Sequence, residues 1–128
     1  MKKLLIGSIM TLASTASFGV LAAAVGTTER GIASYYHDSL HGRRTASGQI
    51  YNKHRMTAAH RTLPLGTKVR VTDLTSGESI KVTVNDRGPF VRGRVIDLSR
   101  SAAKKLDMIE RGLTRVRVEV VATPDSDA

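Results

Sequence analysis

The sequence predicts a small, mainly β domain with one short helix, and three observations predict it. Runs such as Thr67 to Thr72, Ser79 to Val84 and Leu113 to Val121 alternate apolar and polar residues, the pattern of strands with one buried face. Gly, Pro, Asp and Asn cluster between these runs, and their backbone preferences make turns. Only the stretch after Ser99 changes period, with Ala102, Ala103 and Leu106 at helical spacing. Six or more short strands with a single helix fit a compact barrel better than a sandwich of long strands.

Taken in order, Val25 to Arg30 reads as a short leader and Gly31 to Tyr36 as the first strand. His37 to Gly48 is polar and rich in Gly, Ser and Arg, hence a loop. Met56 to Ala59 is a short strand, and Leu63-Pro64-Leu65-Gly66 is a turn. Thr67 to Thr72 and Ser79 to Val84 form a hairpin around Asp73 to Gly77, with Val69, Val71, Ile80, Val82 and Val84 inward. Asp86-Arg87-Gly88-Pro89 breaks the strand pattern, and Val95 to Leu98 is another short strand. Ser99 is an N-cap for a helix from Arg100 to about Asp107. Gly112 marks an exit turn before the last strand, Leu113 to Val121. No internal repeat is present.

The ends bound the compartment. Residues 1–24 read as a signal peptide: Lys2 and Lys3 start it, Leu4 to Val20 carries no charge, and Ala22-Ala23-Ala24 offers an A-x-A cleavage site. The six Gly, Ser and Thr residues from Gly7 to Ser17 dilute the apolar run below that of a membrane anchor. Residues 25–122 are then the domain, and 123–128 a polar, disordered tail. With no cysteine, neither a disulfide nor a lipid-bearing N-terminal Cys is available, so the domain must hold itself together by core burial. The formal charge of +9 falls to +7 without Lys2 and Lys3. In a cytosolic chain that balance suggests nucleic acid; export redirects it to the anionic cell wall.

Three polar cassettes interrupt the strands: TASGQIYN (Thr45 to Asn52), VNDRGPF (Val84 to Phe90) and VIDLS (Val95 to Ser99). Acids, arginines and glycines clustered at strand ends are how a site is built on a rigid scaffold. Together with MTAAHRTLPLG, the cassettes closely resemble the rare lipoprotein A family of septal-ring lytic transglycosylases, from about Gly31 to Val121. The resemblance implies a six-stranded double-psi β-barrel, a topology that periodicity does not supply. It also implies cleavage of peptidoglycan glycan strands. Many members of that family carry a C-terminal domain for glycan lacking stem peptides. This chain stops before one, so the barrel alone is expected to engage the substrate.

Such an enzyme breaks the bond between N-acetylmuramic acid and N-acetylglucosamine without water. One carboxyl protonates the departing oxygen, then takes the proton of the muramic acid 6-hydroxyl as a 1,6-anhydro ring closes. Hydrolytic glycosidases need a second carboxylate. Carried over by position, the family's acid falls on Gln49, its nearby Asp on Asn52 and its His on His60. Glutamine donates hydrogen bonds but delivers no proton at useful pH. Either the catalytic role has moved or the domain binds glycan without cutting it.

The surviving acids are Asp86 and Asp97. An Asp before Arg-Gly-Pro often accepts backbone N–H bonds and shapes a turn, so Asp86 reads as acid or as turn acceptor. Asp97 resembles the acid in the H-F-D-like segment of expansins and related barrel endoglucanases; its alternative is capping of the helix that follows. His60 reads as a groove residue or as a histidine merely hydrogen-bonded in place. Gln49, Asn52, Arg43, Arg87 and Tyr51 are the candidate substrate contacts: arginine binds carboxylates bidentately, and tyrosine stacks on pyranose faces or fills a core. Arg44, Arg92 and Arg94 also flank the cassettes, and Tyr35, Tyr36 and Phe90 are the other aromatics considered for stacking. His37, His41 and His54 lack a shared helical face and any Cys partner, so no zinc is expected. The expectation is a monomer acting on peptidoglycan glycan strands in the periplasm or outside the cell. It has no cofactor, no nucleic-acid partner and no stable membrane anchor.

Overall fold

A computed structural model describes residues 24–125. The expected signal segment, apart from Ala24, lies outside the described residues, as do residues 126–128 of the expected tail. Six strands close into a barrel: β1 (Thr28–Tyr35), β2 (Thr57–Ala59), β3 (Lys68–Asp73), β4 (Ser79–Asp86), β5 (Arg94–Leu98) and β6 (Thr114–Ala122). Their order around it is β1-β5-β2-β4-β3-β6. β1 runs parallel to β5 and β2 parallel to β4, while the remaining neighbours are antiparallel. Each parallel partner is reached only after other strands have been laid down, the interlocked crossing of a double-psi β-barrel. The helix α1 (Arg100–Lys105) packs against β4 and β5. Among the described residues, no helix is long and apolar enough to cross a membrane.

Strand alternation fills the interior. Val69, Val71, Val82, Val84, Ile96, Leu98, Val116 and Val118 are buried, and Ala102, Ala103, Leu106 and Met108 join the same core. Each Val or Leu so buried contributes roughly 1.5–3 kcal/mol relative to exposure. β1 and β5 approach closely enough that a Cβ at Gly31 would collide with the Val95 methyl groups, which makes this glycine a packing requirement. Ser99 caps α1 as expected, its Oγ accepting the Ala102 N–H at 3.2 Å.

Boundaries moved where tertiary pairing extends an element. β1 begins at Thr28 rather than Gly31, because β6 offers partners to Thr28, Glu29 and Arg30; nothing in those polar residues announces a strand. β4 continues through Asn85 to Asp86 because Ala59 of β2 pairs with Asp86. α1 stops at Lys105 instead of about Asp107, where the backbone turns left-handed at φ 58°. The expected loop from His37 to Gly48 contains a 3₁₀ turn, Asp38–Leu40, and then a tight hairpin bridged between Arg44 and Ile50.

The β3–β4 turn is held by an ion pair in which the carboxylate is buried and the arginine exposed. Asp73, fully buried, accepts Arg111 Nη2 at 2.7 Å, the Thr114 hydroxyl at 3.2 Å and the Thr75 N–H at 2.8 Å. Burial pushes the Asp73 carboxyl up, but Arg111 and these donors outweigh it and hold the group below its ordinary value. A depressed carboxylate contributes stability that is present above its unfolded pKa of about 3.9 and is lost as pH falls through the lower folded value. Asp73→Asn should therefore cost about 1–3 kcal/mol at neutral pH, as loss of a buried charged hydrogen bond does. Thermal melts should show the gap between variant and wild type closing below about pH 4. A gap that stays constant down to pH 2 would mean that Asp73 acts by shape rather than by charge.

Candidate functional site

Short β2 brings the two acids together. Ala59 is in register with Asp86 of β4 on one side and with Asp97 of β5 on the other. Both carboxylates thus stand at one end of the barrel, and their environments differ. Asp86 is held on both oxygens: the Tyr36 hydroxyl donates to Oδ2, while the N–H groups of Ala46 and Arg87 donate to Oδ1 at 2.8 and 2.9 Å. Asp97 accepts one bond, from the Ser34 hydroxyl at 3.0 Å. Burial pushes the Asp97 carboxyl above its ordinary value; the Ser34 bond and the Arg94 charge pull it partly back, and the Asp86 charge adds a little to the rise. A carboxyl raised in this way is better suited to donate a proton than an ordinary carboxylate. Asp86, tied to three donors, is suited to hold its neighbours in place.

The segment Thr45–Gln49 docks on the end of β4. Besides the bond from Ala46, the Ser47 N–H donates to the Asn85 carbonyl at 3.2 Å, and Asn85 Nδ2 donates to Gln49 Oε1 at 3.1 Å. Gln49 faces an open groove of about 830 Å³ shared with His41, Tyr51, Asn52, Arg55, Thr83 and Asn85. Among the described residues, no carboxylate lines it. Tyr51 stacks on Tyr36 with ring centroids 4.3 Å apart, is 2% exposed, and accepts the Arg100 N–H at 3.1 Å. Tyr51 therefore builds the wall of the groove and has no free face for a sugar. The Tyr36–Asp86 bond in turn joins this wall to the carboxylate pair. Burial first, then Asp86, pushes the Tyr36 phenol well above its ordinary value, so it remains a donor.

His60 is buried, and both ring nitrogens are used: Nε2 faces Glu29 Oε1 at 2.8 Å, and Nδ1 accepts the N–H groups of Thr62 and Leu63 at 3.1 Å each. Accepting at Nδ1 places the proton on Nε2. Arg87 reinforces the same loop, its Nη1 donating to the His60 carbonyl at 3.1 Å and the Leu63 carbonyl at 2.6 Å. His60 and Arg87 thus brace the chain leaving β2. Asn52 lines the groove while its Oδ1 accepts the His54 N–H at 2.9 Å, and Arg43 is exposed beside it in the chain bridge to Tyr51.

Of the other aromatics, Tyr35 donates its hydroxyl to the Ile109 carbonyl at 2.7 Å, whereas Phe90 is 78% exposed. His41 and His54 meet edge to face, and among the described residues no three His, Cys, Asp or Glu side chains are grouped to hold a metal ion. Sequence reasoning missed Ser34, Tyr36 and Asn85 as partners of Asp97, Asp86 and Gln49. For Ser34 and Asn85 the available signal was a polar residue at a strand position that the closed barrel buries; Tyr36 lies just past β1.

Residues 28–118 match the family model described as lytic transglycolase. The endolytic peptidoglycan transglycosylase RlpA of Pasteurella multocida is 54% identical over 98 residues, covering 77% of this chain and 33% of that protein. The protein of the same name from Campylobacter jejuni is 49% identical over 105 residues, covering 82% and 38%. Among solved structures, a Streptomyces papain inhibitor superposes with a TM-score of 0.62 at 27% identity, covering 77% of this chain and 97% of that one. The apo expansin of Clavibacter michiganensis superposes with a TM-score of 0.61 at 22% identity, over 77% and 52%, a likeness of fold alone. The chain spans about a third of the length of the curated relatives it matches. On the match through all six strands and the identity to the RlpA proteins, the chain belongs to the RlpA-type lytic transglycolase family of double-psi β-barrels.

Proposed function

We propose that this domain is an endolytic peptidoglycan lytic transglycosylase acting on glycan strands that lack stem peptides. The observation that carries the reading is the unequal carboxylate pair across Ala59, one acid held by three donors and the other raised and bound once. Asp97 protonates the glycosidic oxygen as the bond to the muramic acid C1 breaks. The 6-hydroxyl of the same sugar closes on C1, and the Asp97 carboxylate takes its proton, leaving a 1,6-anhydro end and the acid restored. Asp86 positions Tyr36 and the Thr45–Gln49 segment; His60 and Arg87 brace the loop after β2. Gln49, Asn52 and Arg43 contact the glycan, and Tyr51 shapes the wall behind it. Export through cleavage near Val25 places domain 25–122 in the periplasm or outside the cell, as a monomer without a lipid anchor.

A second reading is a glycan-binding module of the same fold. It is favoured by one observation: among the described residues, no carboxylate lines the groove that Gln49 faces. Incubation with peptide-free glycan strands followed by mass spectrometry separates the two. Products ending in 1,6-anhydromuramic acid are expected; retention of intact strands by the protein, with no such ends, would establish the module instead.

A further inference from the structure

Beside the Gln49 groove lies a second depression, of about 400 Å³, lined by Lys53, His54, Arg100, Ser101, Lys104 and Lys105. Four of the six residues are permanent cations and none is an acid. Lys53, Lys104 and Lys105 have no ion-pair partner among the described residues, and Arg100 has only a loose one, Asp38 at 3.4 Å, with both side chains well exposed. Asp107 and Glu110 lie with Lys104 around the neighbouring depression, outside this one. Like charges gathered without counter-charges repel one another, so the patch costs the fold something and favours an anionic occupant.

The chain itself joins this patch to the main groove. Asn52 and Arg55 line the groove, while Lys53 and His54, between them, line the patch. His41, in the groove wall, touches His54 edge to face at 5.9 Å and accepts the Lys53 N–H at 3.1 Å. A polymer leaving the groove over this segment meets the lysines next.

We propose that the Lys53–Lys104–Lys105 patch is a subsite for the free lactyl carboxylates of the glycan strand running out of the groove. The inference rests on the function proposed above. Removal of a stem peptide exposes that carboxylate on each muramic acid, so on a peptide-free strand it is the anionic group that the patch meets. Lysine suits such a subsite, because a point charge on a flexible stem follows carboxylates on a mobile strand.

The test measures dissociation constants for peptide-free glycan fragments with wild type, with Lys104→Gln plus Lys105→Gln, and with Arg30→Gln plus Arg115→Gln. The last pair removes the same charge from the β1–β6 face. Loss of two exposed ion pairs should weaken binding roughly three- to tenfold, and the difference should shrink in high salt. Lys104→Arg plus Lys105→Arg should restore binding. Fragments whose carboxylates have been reduced to alcohols should bind wild type and the glutamine pair alike. Equal weakening in the Arg30 and Arg115 control, or undiminished weakening on reduced fragments, would overturn the subsite. Wild type that neither binds nor cleaves peptide-free glycan would instead overturn the proposed function, and the subsite with it. Inorganic polyphosphate bound as tightly as glycan would mark an unselective polyanion surface and also overturn it.

Discussion

Asp97→Asn is expected to abolish 1,6-anhydro product while the protein melts at or above the wild-type temperature. A general acid contributes about 10²–10⁴-fold in rate, and asparagine keeps the shape and the bond from Ser34 but has no proton to give. The stability half of the prediction follows from sign. The folded carboxyl is raised by burial and by the Asp86 charge, so ionising it works against the folded state, and a neutral amide removes that conflict. Cleavage by wild type should fall as pH rises through the elevated Asp97 value, since the working form is protonated. Asp86→Asn should behave differently. Its Oδ1 serves the Ala46 and Arg87 N–H groups and its Oδ2 the Tyr36 hydroxyl, and one amide NH₂ cannot accept. A loss of about 1–2 kcal/mol from this network lowers the melting temperature by about 5–15 °C in a domain of this size. Activity should fall only as folded protein does. Full turnover in Asp97→Asn, or a dead but fully stable Asp86→Asn, would reverse the two roles.

Gln49→Glu, alone or with Asn52→Asp, is expected to raise cleavage of peptide-free glycan by up to about 10²–10⁴-fold. Gln49 faces the groove from a segment docked on β4, and its Oε1 is already held by Asn85 at 3.1 Å. Glutamate keeps that acceptor and adds the carboxyl that the groove lacks. The same change in an Asp97→Asn background should recover turnover, which shows whether position 49 acts without Asp97. A double variant that binds glycan normally and gains nothing would mean that the acid of this reaction does not stand at position 49.

Much of the barrel was legible because burial enforces period two. Val69 and Val71, Val82 and Val84, and Val116, Val118 and Val120 are inward in the sequence pattern and buried in the structure. Ser99 was legible as a cap for the same local reason: its hydroxyl reaches the N–H of Ala102, three residues away. Illegible were elements made by partners distant in sequence, such as Thr28 to Arg30 against β6 and the end of β4 against β2. Strand pairing rewards the backbone, and the side chains carry no mark of it.

By itself, the sequence determined the residue chemistry at the site: acids at positions 86 and 97, amides at 49 and 52, and no cysteine. It determined the alternation that makes strands and, through its cassettes, the family. Only the tertiary structure decided which acid is raised and which is held, because that depends on burial and on donors from Ser34, Tyr36 and Ala46, each 40 or more residues away along the chain. The same is true of His60, whose two ring nitrogens are taken by Glu29 and the loop after β2. The patch at Lys53, Lys104 and Lys105 likewise forms only when α1 folds back beside the groove. Charge and hydrogen-bonding capacity belong to a residue, but pKa and access belong to its surroundings, and the closed barrel assembles those surroundings from every part of the chain.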